Sequence, residues 1–170
     1  MSRPAVPAAL KRQLYEESGY RCAVPTCRST SILEMAHIEP RADVQEDTFD
    51  NMIVLCSMCH GLYDREKKIP RKSIEAFKAN LAVVNGRYSD YERRVLEYFA
   101  DNGNAPSTGL MLTFHQEFHL RNLIRDGLLE LTHRERHVMS GHFEDGIEIY
   151  ALTSAGRGFV ERWVAAATLD

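Results

Sequence analysis

Four cysteines in two short-spaced pairs limit what this chain can fold into more than any other feature. They stand in "CAVPTC" (Cys22, Cys27) and "CSMC" (Cys56, Cys59), with 28 residues between the pairs. Thiols four and two residues apart form tight knuckles, and two knuckles together supply a tetrahedral four-sulfur set for zinc. Such a site has every position filled, so the ion it holds is structural. Four buried free thiols are the plainer alternative. The N-terminal "MSRPAVPAALKRQ" lacks the apolar core of a signal peptide, so cytoplasmic residence is expected, and thiols there favour metal over disulfides. No apolar run approaches the roughly 18 residues that span a bilayer, so no membrane partner is expected.

A net charge of −3 excludes a polycation that coats nucleic acid by charge alone. The charge is unevenly spread. Residues 1–80 carry 12 Lys+Arg against 11 Asp+Glu, and residues 81–170 carry 9 against 13. All five lysines and all four cysteines fall in the first half, and "NGRYSD" supplies turn residues after it. These shifts predict two domains, 1–85 and 86–170, in an α+β chain.

In the first, "PAALKRQLYEESGY" reads as a helix closed by Gly19, and "ILEMAHIEP" as a strand stopped by Pro40. "RADVQEDTFD" reads as an acidic surface loop and "NMIVLC" as a strand end or helix entry. "CHGLYDREKKI" and "PRKSIEAFKANLAVVN" read as helices. In the second, "SDYERRVLEYFADNG" has the pattern of a helix with Ser89 as N-cap. A short helix, a turn and a longer helix over about 113–126 are expected next, then a strand "LLELT". A hairpin turning at Asp145-Gly146 and a last helix capped by Thr153 or Ser154, with Phe159 and Trp163 in the core, complete the pattern.

Two histidines flank the second cysteine pair: "LEMAHIEP" ends its run at His37, and "DNMIVLCSMCH" closes on His60. A strand ending in His-Ile-x-Pro, an Asn before a short apolar run, then Cys-x-x-Cys-His resembles the zinc-bearing HNH endonucleases. The resemblance covers about residues 20–65. It implies a small ββα-metal domain and hydrolysis of DNA phosphodiester bonds. His37 would be the general base that activates water. His60 would hold a divalent catalytic metal, Mg²⁺ or Mn²⁺, which stabilises the leaving group. Asn51 would either ligate that metal or brace the loop that orients His37. The chemistry agrees: hydrolysis at neutral pH calls for a base such as an imidazole and for a cation facing the phosphate. Many relatives place a metal ligand just before the base, whereas this chain has Ala36. Glu34, on the same strand face as Ala36, and Asp64, one helical turn after His60, are the candidates to fill the shell.

Arg65, Lys67, Lys68, Arg71 and Lys72 follow directly. They form either a solvated face or a DNA-backbone patch. In the second half, "HLRNLIRDGLLEL" and "YALTSAGRGFVERW" resemble a winged helix-turn-helix. Its longer helix would present His115, Gln116, His119, Arg121, Asn122 and Arg125 to DNA, although the acidic balance fits a protein partner as well. The pairs His115/His119 and His133/His137 read as surface histidines and not as a second metal site. The function expected is a metal-dependent HNH endonuclease, which would dimerise or nick twice to cut both strands. The alternative is a catalytically degenerate, zinc-stabilised DNA-binding or protein-interaction module.

Overall fold

A computed structural model describes residues 5–40, 44, 46–103, 105–138 and 144–169. The chain divides into two compact units, residues 1–86 with 166–170, and residues 87–165.

The first unit is built around a two-stranded antiparallel hairpin, β1 (Leu33–His37) and β2 (Met52–Cys56), registered with Ala36 opposite Ile53 and His37 opposite Met52. All five residues of β2 are buried because both faces of the hairpin are covered. Met52 and Val54 pack with Leu14 of helix α1 (Ala8–Ser18). Ile53 and Leu55 pack with Ala23, Ala36, Ile74 and Phe77. Side-chain alternation sends neighbours to opposite faces, so an unbroken apolar run is what a doubly covered strand requires. Each such side chain contributes about 1.5–3 kcal/mol on burial.

Helix α2 (Ser57–Asp64) leaves β2 without a connecting loop, with Cys56 as N-cap accepting from Cys59 N–H. It is shorter than the sequence pattern suggested, because the chain past Asp64 turns back on itself through Lys67 at φ 54°. Helix α3 (Arg71–Arg87) follows Pro70 and buries Ile74, Phe77 and Val84. Its buried Asn80 donates to the Ala167 carbonyl at 2.8 Å and accepts from Leu169 N–H at 3.0 Å, fastening the C-terminal segment. Gly19 ends α1 in the left-handed conformation (φ 62°), as its position implied.

The second unit runs α4 (Asp90–Asn102), β3 (Gly109–Thr113), a 3₁₀ turn (Gln116–Phe118), α5 (Arg121–Arg125), β4 (Leu129–Val138), β5 (Glu144–Leu152) and α6 (Ser154–Val164). Its antiparallel sheet has the order β3-β5-β4. Ser89 caps α4 in a full capping box with Glu92, and Thr153 caps α6 by accepting from Gly156 N–H at 3.0 Å. Phe159 and Trp163 are buried.

Two expectations fail here. Residues 113–126 do not form one long helix. Leu110–Thr113 pair with Ile147–Tyr150, and His115 adopts φ 67°, which breaks helical continuity and leaves α5 only five residues long. Cross-strand pairing outweighs a local pattern that fitted helix and strand alike. Nor does the hairpin turn at Asp145-Gly146, since both lie inside β5, opposite His137 and Arg136. Glycine at 146 serves close packing: a Cβ there would stand 2.2 Å from the Glu135 carbonyl oxygen and 2.4 Å from the Phe114 ring.

Candidate active site and metal centre

The first knuckle folds because Val24 O accepts from both Cys27 N–H (2.9 Å) and Arg28 N–H (3.2 Å), while Cys22 N–H donates to Ser29 O (2.8 Å). Ala23 N–H donates to Val54 O at 3.0 Å, which pins this turn to β2 and brings it against the second knuckle. The ligand atoms of Cys22, Cys27, Cys56 and Cys59 all lie within 4.8 Å of one another, and Cys27 Sγ stands 3.7 Å from Cys56 Sγ. Zinc–sulfur bonds of about 2.3 Å in a tetrahedron set the sulfurs about 3.8 Å apart, so the cluster fits zinc. All four are free thiols.

Burial pushes the Cys22 thiol up to about 11 and drives that of Cys59 up as well. Burial acts the same way on Cys56, but hydrogen bonds from Cys59 N–H and the neighbouring thiols outweigh it and bring Cys56 below its ordinary value. Packed alone, burial therefore favours the neutral thiol at Cys22 and Cys59. A divalent cation supplies the charge that four thiolates need.

Beside this cluster lies a cleft of about 300 Å³ lined by Met35, His37, Ile38, Pro40, His60, Tyr63, Asp64 and Lys67. His37 closes β1, and His60 and Asp64 sit one turn apart on α2, so the hairpin and the helix bring them together. His60 Nδ1 is 2.6 Å from Glu34 Oε2. Donation from Nδ1–H to that carboxylate leaves Nε2 as the nitrogen able to ligate a metal. Glu34 thus reaches the site through His60. Ala36, 1% exposed, is part of the core.

Asn51 is buried, and its amide spans the backbone of Glu39: Oδ1 accepts from Glu39 N–H at 2.6 Å and Nδ2 donates to Glu39 O at 3.2 Å. Ile38 N–H donates to Asn51 O at 2.9 Å, and Tyr63 OH donates to Ile38 O at 2.5 Å. The segment just past His37 is therefore clamped from both sides. Burial raises the Tyr63 phenol above its ordinary value, so it stays a donor at neutral pH.

The basic cluster is largely paired with acids. Lys68 lies 2.6 Å from Glu66 and Lys67 3.7 Å from Asp64, and Arg71 contacts both Glu39 and Glu75. These groups are exposed, so the pairs are weak and free to exchange for phosphate. Lys67 also lines the cleft. Among the described residues the four cysteines form the one cluster of three or more metal-type ligands, and no helix is long and apolar enough to cross a membrane.

Two participants escaped the sequence pattern. Asp47 Oδ1 lies 2.8 Å from His37 Nε2. It sits in an irregular loop with several acids and no periodicity to single one out. Tyr63 follows the recognisable histidine by three residues on α2, a helical spacing that could have flagged it.

Residues 21–66 match the family model described as HNH endonuclease. No curated protein and no solved structure matches the chain.

Proposed function

We propose, taking residues 21–66 as an HNH endonuclease domain, that the protein is a metal-dependent nuclease cutting DNA within the cleft beside its zinc knuckles. The observation that carries the reading is the convergence of His37, His60 and Asp64 on one cleft that also presents Lys67. His37 acts as general base, taking a proton from the attacking water. His60 and Asp64 would hold Mg²⁺ or Mn²⁺, with water and phosphate filling the remaining positions. When bound, that cation stabilises the charge on the phosphate and the leaving oxygen. Asn51 braces the loop through Glu39, which keeps it from ligating the metal itself. Glu34 orients His60 and holds its Nδ1 proton, leaving Nε2 as the ligand atom. Arg65, Lys67, Lys68, Arg71 and Lys72 contact the DNA backbone, giving affinity without sequence choice. The four cysteines hold zinc and take no part in the chemistry.

The second unit serves as a winged-helix-like accessory, with β4 and β5 as the wing. Its short α5 gives little length for reading a groove, which favours backbone or protein contacts there. With one catalytic cleft per chain, cutting both strands takes a homodimer or two successive nicks.

Ala36 favours a second reading, a DNA-binding module without hydrolysis, because it adds no donor where a metal ligand would stand. Plasmid nicking over Mg²⁺, Mn²⁺ and Ni²⁺, with zinc content measured alongside, separates the two. The nuclease reading expects cutting that falls at least about 10³-fold in a zinc-replete His37→Ala protein. Salt-dependent DNA affinity with no cutting under any metal would select the second reading.

A further inference from the structure

Phe118, at the end of the 3₁₀ turn of the second unit, is 72% exposed, and Tyr91, in the first turn of α4, is 37% exposed. The imidazole of His119 lies 5.7 Å from both rings, centroid to centroid, tilted 53° to Tyr91 and nearly perpendicular to Phe118 at 83°. Tyr91 is fastened to the same turn by its hydroxyl, which donates to Gln116 Oε1 at 3.2 Å. Folding gains little from a phenyl ring left in water, so the core does not account for Phe118. Phe114 supplies the contrast: its ring fills the space beside Gly146 and carries the guanidinium groups of Arg134 and Arg136 at 5.6 and 5.8 Å.

The charge around these rings is cationic. From His115 to Arg125 the chain has Arg121 and Arg125 against Glu117 alone, and Glu117 is taken up by Arg134. Arg121 is exposed and forms no ion pair among the described residues. Exposed rings beside a guanidinium match a nucleotide, whose base stacks while its phosphate takes the cation. In a duplex the faces of each base are covered by its neighbours, so rings of this kind select unpaired bases. Residues 81–170 carry 9 Lys+Arg against 13 Asp+Glu, which works against holding a strand by phosphate contacts alone. Stacking needs no net charge and supplies the affinity that balance withholds.

We propose that Tyr91, Phe118 and His119 form a stacking platform for the unpaired bases of single-stranded DNA, with Arg121 on the adjoining phosphate. The choice of DNA rests on the nuclease reading above, whereas binding at the platform requires no cutting.

The test uses the full chain at full zinc occupancy, without added Mg²⁺ or Mn²⁺, and reads fluorescence anisotropy of labelled oligo(dT). The controls are a duplex of the same length and an abasic strand that offers backbone without bases. Oligo(dT) should bind more tightly than either. Phe118→Ala should weaken it about 10-fold and leave duplex affinity within about twofold, because only the stacked base is lost. Phe118→Trp should retain the affinity, and Phe118→Leu, which keeps the apolar surface without the ring, should not. Arg121→Gln should lower the salt slope by about one. Equal affinity for oligo(dT) and the abasic strand, or a Phe118→Leu protein that binds like wild type, would overturn the platform. So would a Phe118→Ala change that splits a dimer into monomers with oligo(dT) affinity unchanged, since the patch would then pair two copies of the chain. A protein that cuts plasmid but fails these tests loses the platform alone. One that passes them and cuts nothing loses the nuclease reading alone.

Discussion

The two units hold themselves together by opposite electrostatic means. In the first, four sulfurs gather the N-terminal knuckle, β2 and α2 around a place for a cation. In the second, buried carboxylates do the gathering. Glu92, 1% exposed, accepts from Ser89 N–H and from the N–H groups of Asn122 and Leu123 at the start of α5. Glu148 accepts from Tyr150 OH at 2.8 Å and pairs with Arg134. A helix start offers unsatisfied N–H groups, so one carboxylate closes both the α4 capping box and the α5 terminus. The lesson is that a small core can be completed by an imported cation or by an internal anion, with different vulnerabilities in each case.

The sharpest break in that comparison is metal removal. Chelation of zinc, or Cys56→Ser, should unfold the first unit, since structural zinc contributes on the order of 10 kcal/mol to comparable domains. Amide exchange should lose protection in β1, β2 and α2 while α4 and β5 stay protected. Equal loss in both units would show that one folding transition covers the whole chain.

Packing in the second unit comes next. A Cβ at Gly156 would stand 1.9 Å from Leu128 O, a backbone atom that also accepts from Thr153 N–H. Gly156→Ala should therefore cost about 3 kcal/mol in that unit, read by denaturant unfolding, and leave zinc content unchanged.

Glu92→Gln should cost about 2 kcal/mol, and its pH dependence identifies the cause. Burial alone would raise the Glu92 carboxyl, but the hydrogen bonds from Ser89 and Asn122 outweigh it and hold the group below its ordinary value. Asp126 is lowered chiefly by Arg87, and Glu148 is lowered against burial by Tyr150, Gln116 and Arg134. A carboxylate depressed in the folded state stabilises above its unfolded pKa, and that contribution is lost as pH falls through the folded value. The second unit should weaken from about pH 4.5 downward, and Glu92→Gln should flatten part of that slope. Glu17 in the first unit has the opposite sign: burial raises it despite Lys78 at 2.6 Å, so its ionisation opposes folding as pH rises. The smallest effect expected is Thr153→Ala, about 1 kcal/mol from the lost α6 cap, seen as a modest fall in the melting temperature of the second unit.

Much of the candidate site was legible because its residues are spaced by local rules. Knuckle spacing marked the four cysteines, and the resemblance of the segments around β1 and β2 to the HNH pattern marked His37 and His60. Where local rules were ambiguous the reading failed. "GLMLT" suited a helix until β5 claimed it as an edge strand, and Asp145-Gly146 suited a turn until the Phe114 ring required glycine inside the ladder.

Sequence by itself determined the two cysteine pairs that cluster and the caps at Gly19 and Ser89, because each follows from neighbours a few residues apart. Only the tertiary structure decided the partners across 10 to 31 residues: Asp47 on His37, Asn51 on Glu39, Glu34 on His60 and Glu92 on α5. Those pairs join surface-type residues from loops and ends of elements, where no periodicity operates. Their choice is made by which polar groups the folded core leaves without water.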